Sequence, residues 1–213
     1  MRTKLFGLCL AAVLTATQAA YAGPVIYNNG APNFLEGNEA TTWIQAEDFT
    51  FASDVTLGDI HFWTFESTFG YQGSVTYRIY GNAGTQPDET NILREGSVSP
   101  TRTALGPGPF GYDEFSYDFD IAPLNLAAGT YWLGLHNGPL TTTNRADWYW
   151  ATTALNATLT GREDMDPFDD GGWFDNTQEH AFYLTGPTAP EPASVLLLGL
   201  GALGFVRSRA RRS

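Results

Sequence analysis

The sequence predicts an all-β fold, a two-sheet sandwich of jelly-roll type, and three observations carry that prediction. Short runs alternate apolar and polar residues with a period of two, so each buries one face and wets the other. Clusters of Gly, Pro, Asn and Asp punctuate the runs, and no segment between the two termini has a helical period. About nine such strands in this length is the density of a sandwich.

The elements justify this reading in order. Arg2 and Lys4 precede an apolar stretch from Leu5 to Ala16, and Ala20-Tyr21-Ala22 offers a small-x-small cleavage site before Gly23. This predicts a secretory signal peptide over 1–22, with a short N-terminal signal helix. Strands are expected over 41–51, 55–65, 74–80, 91–98, 115–121, 130–136, 147–152, 155–160 and 181–185. The alternation is cleanest where Val75, Tyr77 and Ile79 oppose Thr76, Arg78 and Tyr80, and where Phe115, Tyr117, Phe119 and Ile121 oppose Ser116, Asp118 and Asp120. Turns fall at Gly81-Asn82-Ala83-Gly84, Gly106-Pro107-Gly108-Pro109, Asn137-Gly138-Pro139 and Asp169-Asp170-Gly171-Gly172. The predicted β-sandwich ectodomain spans 23–187.

The last segment, 188–213, has a different composition. Pro190-Glu191-Pro192 leads into an apolar run from Ala193 to Val206, which ends in Arg207, Arg209, Arg211 and Arg212. As a helix the run is roughly 21 Å long, short of the roughly 30 Å hydrocarbon core of a bilayer, so it predicts a marginal transmembrane helix and a temporary anchor. The arginines would hold that helix on the cytoplasmic side and leave everything upstream outside. Gly199, Gly201 and Gly204 spell the G-x-G-x-x-G of dinucleotide-binding proteins. They lack the preceding strand and the acidic residue further on that this fingerprint requires, and smooth helix packing explains them better.

Tripeptide, short glycine-containing helix and basic end together resemble the PEP-CTERM sorting tail of exopolysaccharide-producing bacteria. The resemblance implies that a membrane-embedded exosortase recognises Pro190, Glu191 and Pro192, removes the tail, and releases or transfers the ectodomain. The chain would then reach the cell surface or extracellular matrix through a transient form held in the inner membrane. Ala46-Glu47-Asp48-Phe49-Thr50, Gly58-Asp59-Ile60-His61-Phe62-Trp63, Tyr77-Arg78-Ile79-Tyr80 and Ala128-Gly129-Thr130-Tyr131-Trp132-Leu133 are in turn similar to a sandwich ectodomain found on such anchored proteins. That likeness implies a fold and no activity.

Charge and cysteine content narrow the function classes. The only cysteine, Cys9, lies in the signal segment, so the mature chain has no disulfide, thiolate ligand or cysteine nucleophile. Residues 23–187 hold 22 acidic side chains against Arg78, Arg94, Arg102, Arg145 and Arg162, a net charge of about -17. Such a field repels nucleic acid and anionic membrane, and it permits cations or neutral sugars.

Three constellations are candidates for chemistry. Trp63, Trp132, Tyr149 and Trp173 are candidate carbohydrate-binding residues, because flat rings stack on the apolar faces of sugars; core packing is the competing account for each. Trp148 and Trp150 share one face of their strand and leave Tyr149 on the other, while Trp173 sits in a Gly/Asp loop and is expected at the surface. Asp164, Asp166, Asp169 and Asp170 could curl around calcium, although Pro167 interrupts them and the spacing is not that of an EF-hand. His61, His136 and His180 are the only histidines and fall in no H-E-x-x-H, and no G-x-S-x-G occurs, so no catalytic residue is assigned. The expected function is a non-enzymatic structural or adhesive role in exopolysaccharide, with no cofactor beyond a possible calcium. The alternatives are a carbohydrate-binding module using exposed Trp and Tyr, and a secreted polysaccharide hydrolase or lyase.

Overall fold

A computed structural model describes residues 23–156, 158–165 and 172–187. In chain order the strands are β1 (Val25–Asn28), β2 (Gly37–Glu39), β3 (Ile44–Phe51), β4 (Val55–Glu66), β5 (Val75–Asn82), β6 (Pro87–Val98), β7 (Thr101–Pro107), β8 (Asp113–Leu126), β9 (Gly129–Asn137), β10 (Trp148–Ala151), β11 (Arg162–Asp164), β12 (Phe174–Asp175) and β13 (Phe182–Thr185). A 3-10 turn at Pro109–Gly111 is the one helical element among the described residues.

The spine of the first sheet is β4. On one side β8 pairs with it from Val55↔Leu126 to Glu66↔Asp113. On the other side β13 and β10 lie end to end, β13 against Asp59 to Phe62 and β10 against Thr64 to Glu66. β1 extends β13, β2 extends β10, and β7 extends β8. The second sheet runs β12-β11-β3-β9-β5-β6, and every pairing in both sheets is antiparallel. A jelly roll nests its pairings, and β3 with β9 in one sheet and β4 with β8 in the other are nested in this way. β5–β6 and β7–β8 are plain hairpins instead.

Period-two alternation fixes which side chains meet between the sheets. Phe49, Phe51, Val75, Tyr77, Ile79, Leu133 and Leu135 of the second sheet face Ile60, Phe62, Tyr117, Phe119, Trp148, Trp150, Phe182 and Leu184 of the first. Each large side chain so buried contributes about 1.5–3 kcal/mol. The polar ends are matched: Trp148 Nε1 donates to the Tyr117 hydroxyl at 3.1 Å, and Trp150 Nε1 to the Ala181 carbonyl at 3.0 Å.

The outer faces differ. The excursion between β9 and β13 folds back over the second sheet, where Leu140, Leu159 and Trp173 pack on Ile44, Ala46, Tyr80 and Trp132. The first sheet is half open: Phe34 and Tyr112 close over Phe65, which is 1% exposed, and His61, Trp63, Tyr149 and Tyr183 stay half-buried.

Most expected strands form near their predicted bounds, and residues 155–160 are the exception. Their backbone is diverted by Asn156, whose Oδ1 accepts the Thr158 N–H at 2.6 Å, a local bond that competes with a sheet ladder. β1, β2, β7, β11 and β12 were not expected, being short or, like the edge strand β7, largely exposed. The expected signal helix, C-terminal transmembrane helix, Pro190, Glu191, Pro192 and the four terminal arginines lie outside the described residues. Among the described residues no helix is long and apolar enough to cross a membrane.

Candidate functional site

Directly opposed residues in an antiparallel pair point to the same side. The outer face of the first sheet can therefore be read from its register. On β4 it presents Asp59, His61, Trp63 and Phe65; on β13, Tyr183; on β10, Tyr149; on β8, Asp120, Asp118, Ser116 and Glu114. An aromatic row thus runs beside an acidic row on one half-open face, with Phe65 buried within the row.

Within the aromatic row, His61 stacks on Tyr183 at 4.1 Å and 5°, and its Nε2 lies 2.8 Å from Asp59 Oδ2. Trp63 meets Tyr183 at 5.7 Å and 47°. The row continues past Phe65 to Tyr149 and Tyr112, whose rings are 5.2 Å apart at 42°. Here the surface dips into a shallow groove of about 320 Å³ lined by Glu36, Gly37, Phe65, Phe110, Tyr112 and Tyr149. Gly37 makes the dip possible, since a Cβ there would lie 2.8 Å from the Tyr149 Cβ and 3.2 Å from the Trp150 carbonyl oxygen.

The rim of this groove holds unusual backbone. Phe34 (φ 61°), Phe110 (φ 58°) and Asp147 (φ 49°) are three of the four non-glycine residues with left-handed φ among the described residues. Left-handed backbone in a bulky residue is costly and clusters at binding sites. The cost here accompanies exposed rings, Phe34 at 48% and Phe110 at 76% exposure, with Phe34 leaning on Phe65 at 5.7 Å. Tyr149 is held from the other side, accepting a hydrogen bond from Arg145 Nη2 and donating to Asp147 Oδ1 at 2.9 Å. Burial, with the Tyr112 hydroxyl next, pushes its phenol up, so it stays a neutral donor.

Of the four aromatic residues singled out in the sequence, Trp63 and Tyr149 come together on this face, and Trp132 and Trp173 do not. Trp132 is 0% exposed and gives its Nε1–H to Asn82 Oδ1 at 2.9 Å. Trp173, expected at the surface, is 8% exposed and packs edge-on against Tyr80 at 5.7 Å. The reason is the same for both: the β9–β13 excursion turns the outer face of the second sheet into a second core. Sequence reasoning missed Phe34, Phe110, Tyr112 and Tyr183. A signal was present in β4, where His61-Phe62-Trp63-Thr64-Phe65 puts rings on both parities and so marks two apolar faces.

The expected calcium residues do not form a site among the described residues. Asp164 is buried on β11, while Asp166, Asp169 and Asp170 lie outside them. Among the described residues no group of three or more His, Cys, Asp or Glu is arranged to hold a metal.

The other concentration of titratable groups is closed. Glu47, Glu179 and His180 are each no more than 1% exposed. Glu47 Oε2 lies 2.9 Å from His180 Nδ1 and accepts the His180 backbone N–H at 2.7 Å; Glu179 Oε2 accepts from Asn29 at 3.2 Å and Asn156 at 3.0 Å. Burial pushes Glu47 well up, Glu179 up to about 7, and the adjacent Asp48 up to about 6; it pushes His180 down to about 3. The cluster ties the end of β1, β3 and the start of β13 together through buried hydrogen bonds.

Fold and face together define a β-sandwich ectodomain with one half-open aromatic and acidic surface. Residues 188–212 match the PEP-CTERM protein-sorting motif, which makes this a PEP-CTERM domain-containing protein, exported to the cell envelope and processed by exosortase. No curated protein and no solved structure matches the chain.

Proposed function

We propose that this protein is a non-enzymatic structural or adhesive component of the cell surface or extracellular matrix, and that the outer face of its first sheet holds exopolysaccharide. In this reading 1–22 is a signal peptide, 23–187 the working domain, and 188–213 a tail that anchors the chain in the inner membrane until it is removed. The observation that carries the reading is the half-exposed aromatic row from His61 and Tyr183 through Trp63 to Tyr149 and the exposed Phe110. Aromatic side chains are normally the first to be buried, and a sugar ring is the partner that suits flat apolar faces set among carboxylates and hydroxyls.

Ring geometry narrows the form of the ligand. Beyond the parallel His61–Tyr183 stack, Trp63 is tilted by 47° to Tyr183 and Tyr149 by 42° to Tyr112, so the face suits a single twisted chain in solution better than the flat surface of a crystalline polymer. Catalysis is not needed for this role. Glu47, Glu179 and His180 are sealed from any substrate, and the role requires no cofactor.

The test is retention of the purified protein on native gels cast with the producing organism's own polysaccharide. Retention that disappears in Trp63→Ala and Tyr149→Ala, with unchanged thermal unfolding, supports the reading. Equal mobility of all three proteins with and without polysaccharide overturns it.

A further inference from the structure

Register sets the acidic row against the aromatic row residue by residue: Glu114 opposite Phe65, Ser116 opposite Trp63, Asp118 opposite His61, and Asp120 opposite Asp59. Trp63 is opposite Ser116 and diagonal to Glu114 and Asp118, about 7–8 Å away, so a sugar ring lying on Trp63 has a carboxylate within reach of its edge on either side. No arginine or lysine relieves this row. Among the described residues Glu114, Asp118 and Asp120 make no ion pair, and Asp59 pairs only with His61. Arg102, the cation nearest in the sheet, is engaged with Glu66 at 2.7 Å, and Arg145 pairs with Asp147 at the far end of the groove.

The Asp59–Asp120 opposition is a second, independent observation. Like charges placed directly across a ladder destabilise the sheet, yet here they stand without a countercharge beyond a single imidazole. Their field reaches the rings: Tyr183 is raised by burial first and then by Asp59 and Asp118. An aromatic face beside carboxylates is the environment an ammonium group prefers, through ion pairing at its edge and cation–π attraction over the ring.

We propose that the polymer held on this face is a cationic amino-sugar chain, with free ammonium groups on the pyranose rings that stack on Trp63 and Tyr149. The inference rests on the polysaccharide reading above and adds the ligand's charge to it. A neutral polymer would leave the opposed carboxylates uncompensated. A uronate polymer would be repelled by an ectodomain of about -17.

The test is calorimetric titration of the purified full chain in mild detergent with glucosamine oligomers, their N-acetylated counterparts, and alginate, at low and high salt. The expected result is a preference for the glucosamine chain of about tenfold, equivalent to about 1.4 kcal/mol, that shrinks at high salt. Asp118→Asn with Asp120→Asn brings affinity for the glucosamine chain down to that of the acetylated one, and Trp63→Ala removes both. Equal or tighter binding of the acetylated chain, or binding of alginate, overturns the cationic assignment and leaves the polysaccharide reading in place. Failure to bind any of these sugars or the organism's own polysaccharide overturns both.

Discussion

Glu179→Gln isolates one proton of the buried knot. In the folded chain Glu179 accepts hydrogen bonds from Asn29 and Asn156 through one oxygen, and a glutamine oxygen can accept both. The substitution therefore keeps the contacts and removes the titration. Burial first, then the Asp48 charge, raises this carboxyl from 4.5 to about 7. A raised carboxyl means the fold prefers the protonated form. Its contribution is complete below about pH 4.5 and is lost as pH rises through about 7. At about 1.4 kcal/mol per unit the whole shift has a ceiling of about 3 kcal/mol. Asn156, one of its two partners, is exposed, so water screens the site and about 1–2 kcal/mol is the working figure. Urea unfolding followed by tryptophan fluorescence at pH 5 and pH 8 reads the difference. Glu179→Gln is expected to gain about 1–2 kcal/mol on the wild type between those two pH values. Parallel stability profiles for the two proteins would refute the claim that this carboxyl is protonated by burial.

Other perturbations separate the two outer faces and the core between them. Trp132→Ala empties the second core beneath Trp173 and Tyr80, and is expected to cost about 3–5 kcal/mol in urea unfolding while leaving the affinity for polysaccharide of the folded fraction unchanged. A loss of binding at full stability would instead place Trp132 at the surface. Arg102→Ala strips the countercharge from Glu66, which also accepts from Tyr117 at 2.5 Å inside the sandwich, and a loss of about 3 kcal/mol is expected. Glu66→Gln should cost less, because it removes the fully buried charge and leaves unpaired only Arg102, whose side chain reaches water; a larger loss than in Arg102→Ala would contradict this. Replacing Pro190 and Pro192 by alanine should leave an uncut chain in the envelope fraction, seen as a heavier band on immunoblots. Normal trimming of that variant would remove the role given to the tripeptide.

The strand pattern was legible because alternation is a local property. Val75, Tyr77 and Ile79 face inward and Thr76 and Arg78 outward, as read from seven residues of sequence. The same logic put Trp148 and Trp150 on one face and Tyr149 on the other, and the structure buries the first two. It failed at 155–160, where one asparagine side chain outcompetes a ladder, and at β11 and β12, which are too short to carry a period.

The sequence by itself determined the C-terminal sorting motif, the absence of cysteine from 23–213, the acidic charge, and which residues of each strand share a face. All of these depend on residue identity and near neighbours. Only the tertiary structure decided which shared faces meet water. Trp63 and Trp132 both lie on outer faces and look alike in the chain. The excursion between β9 and β13 lies across the second sheet, buries Trp132 under Trp173 and Leu159, and leaves Trp63 half-buried on the more open first sheet. Long-range packing of a loop cannot be read from the strand beneath it, because the two are joined by burial and not by sequence.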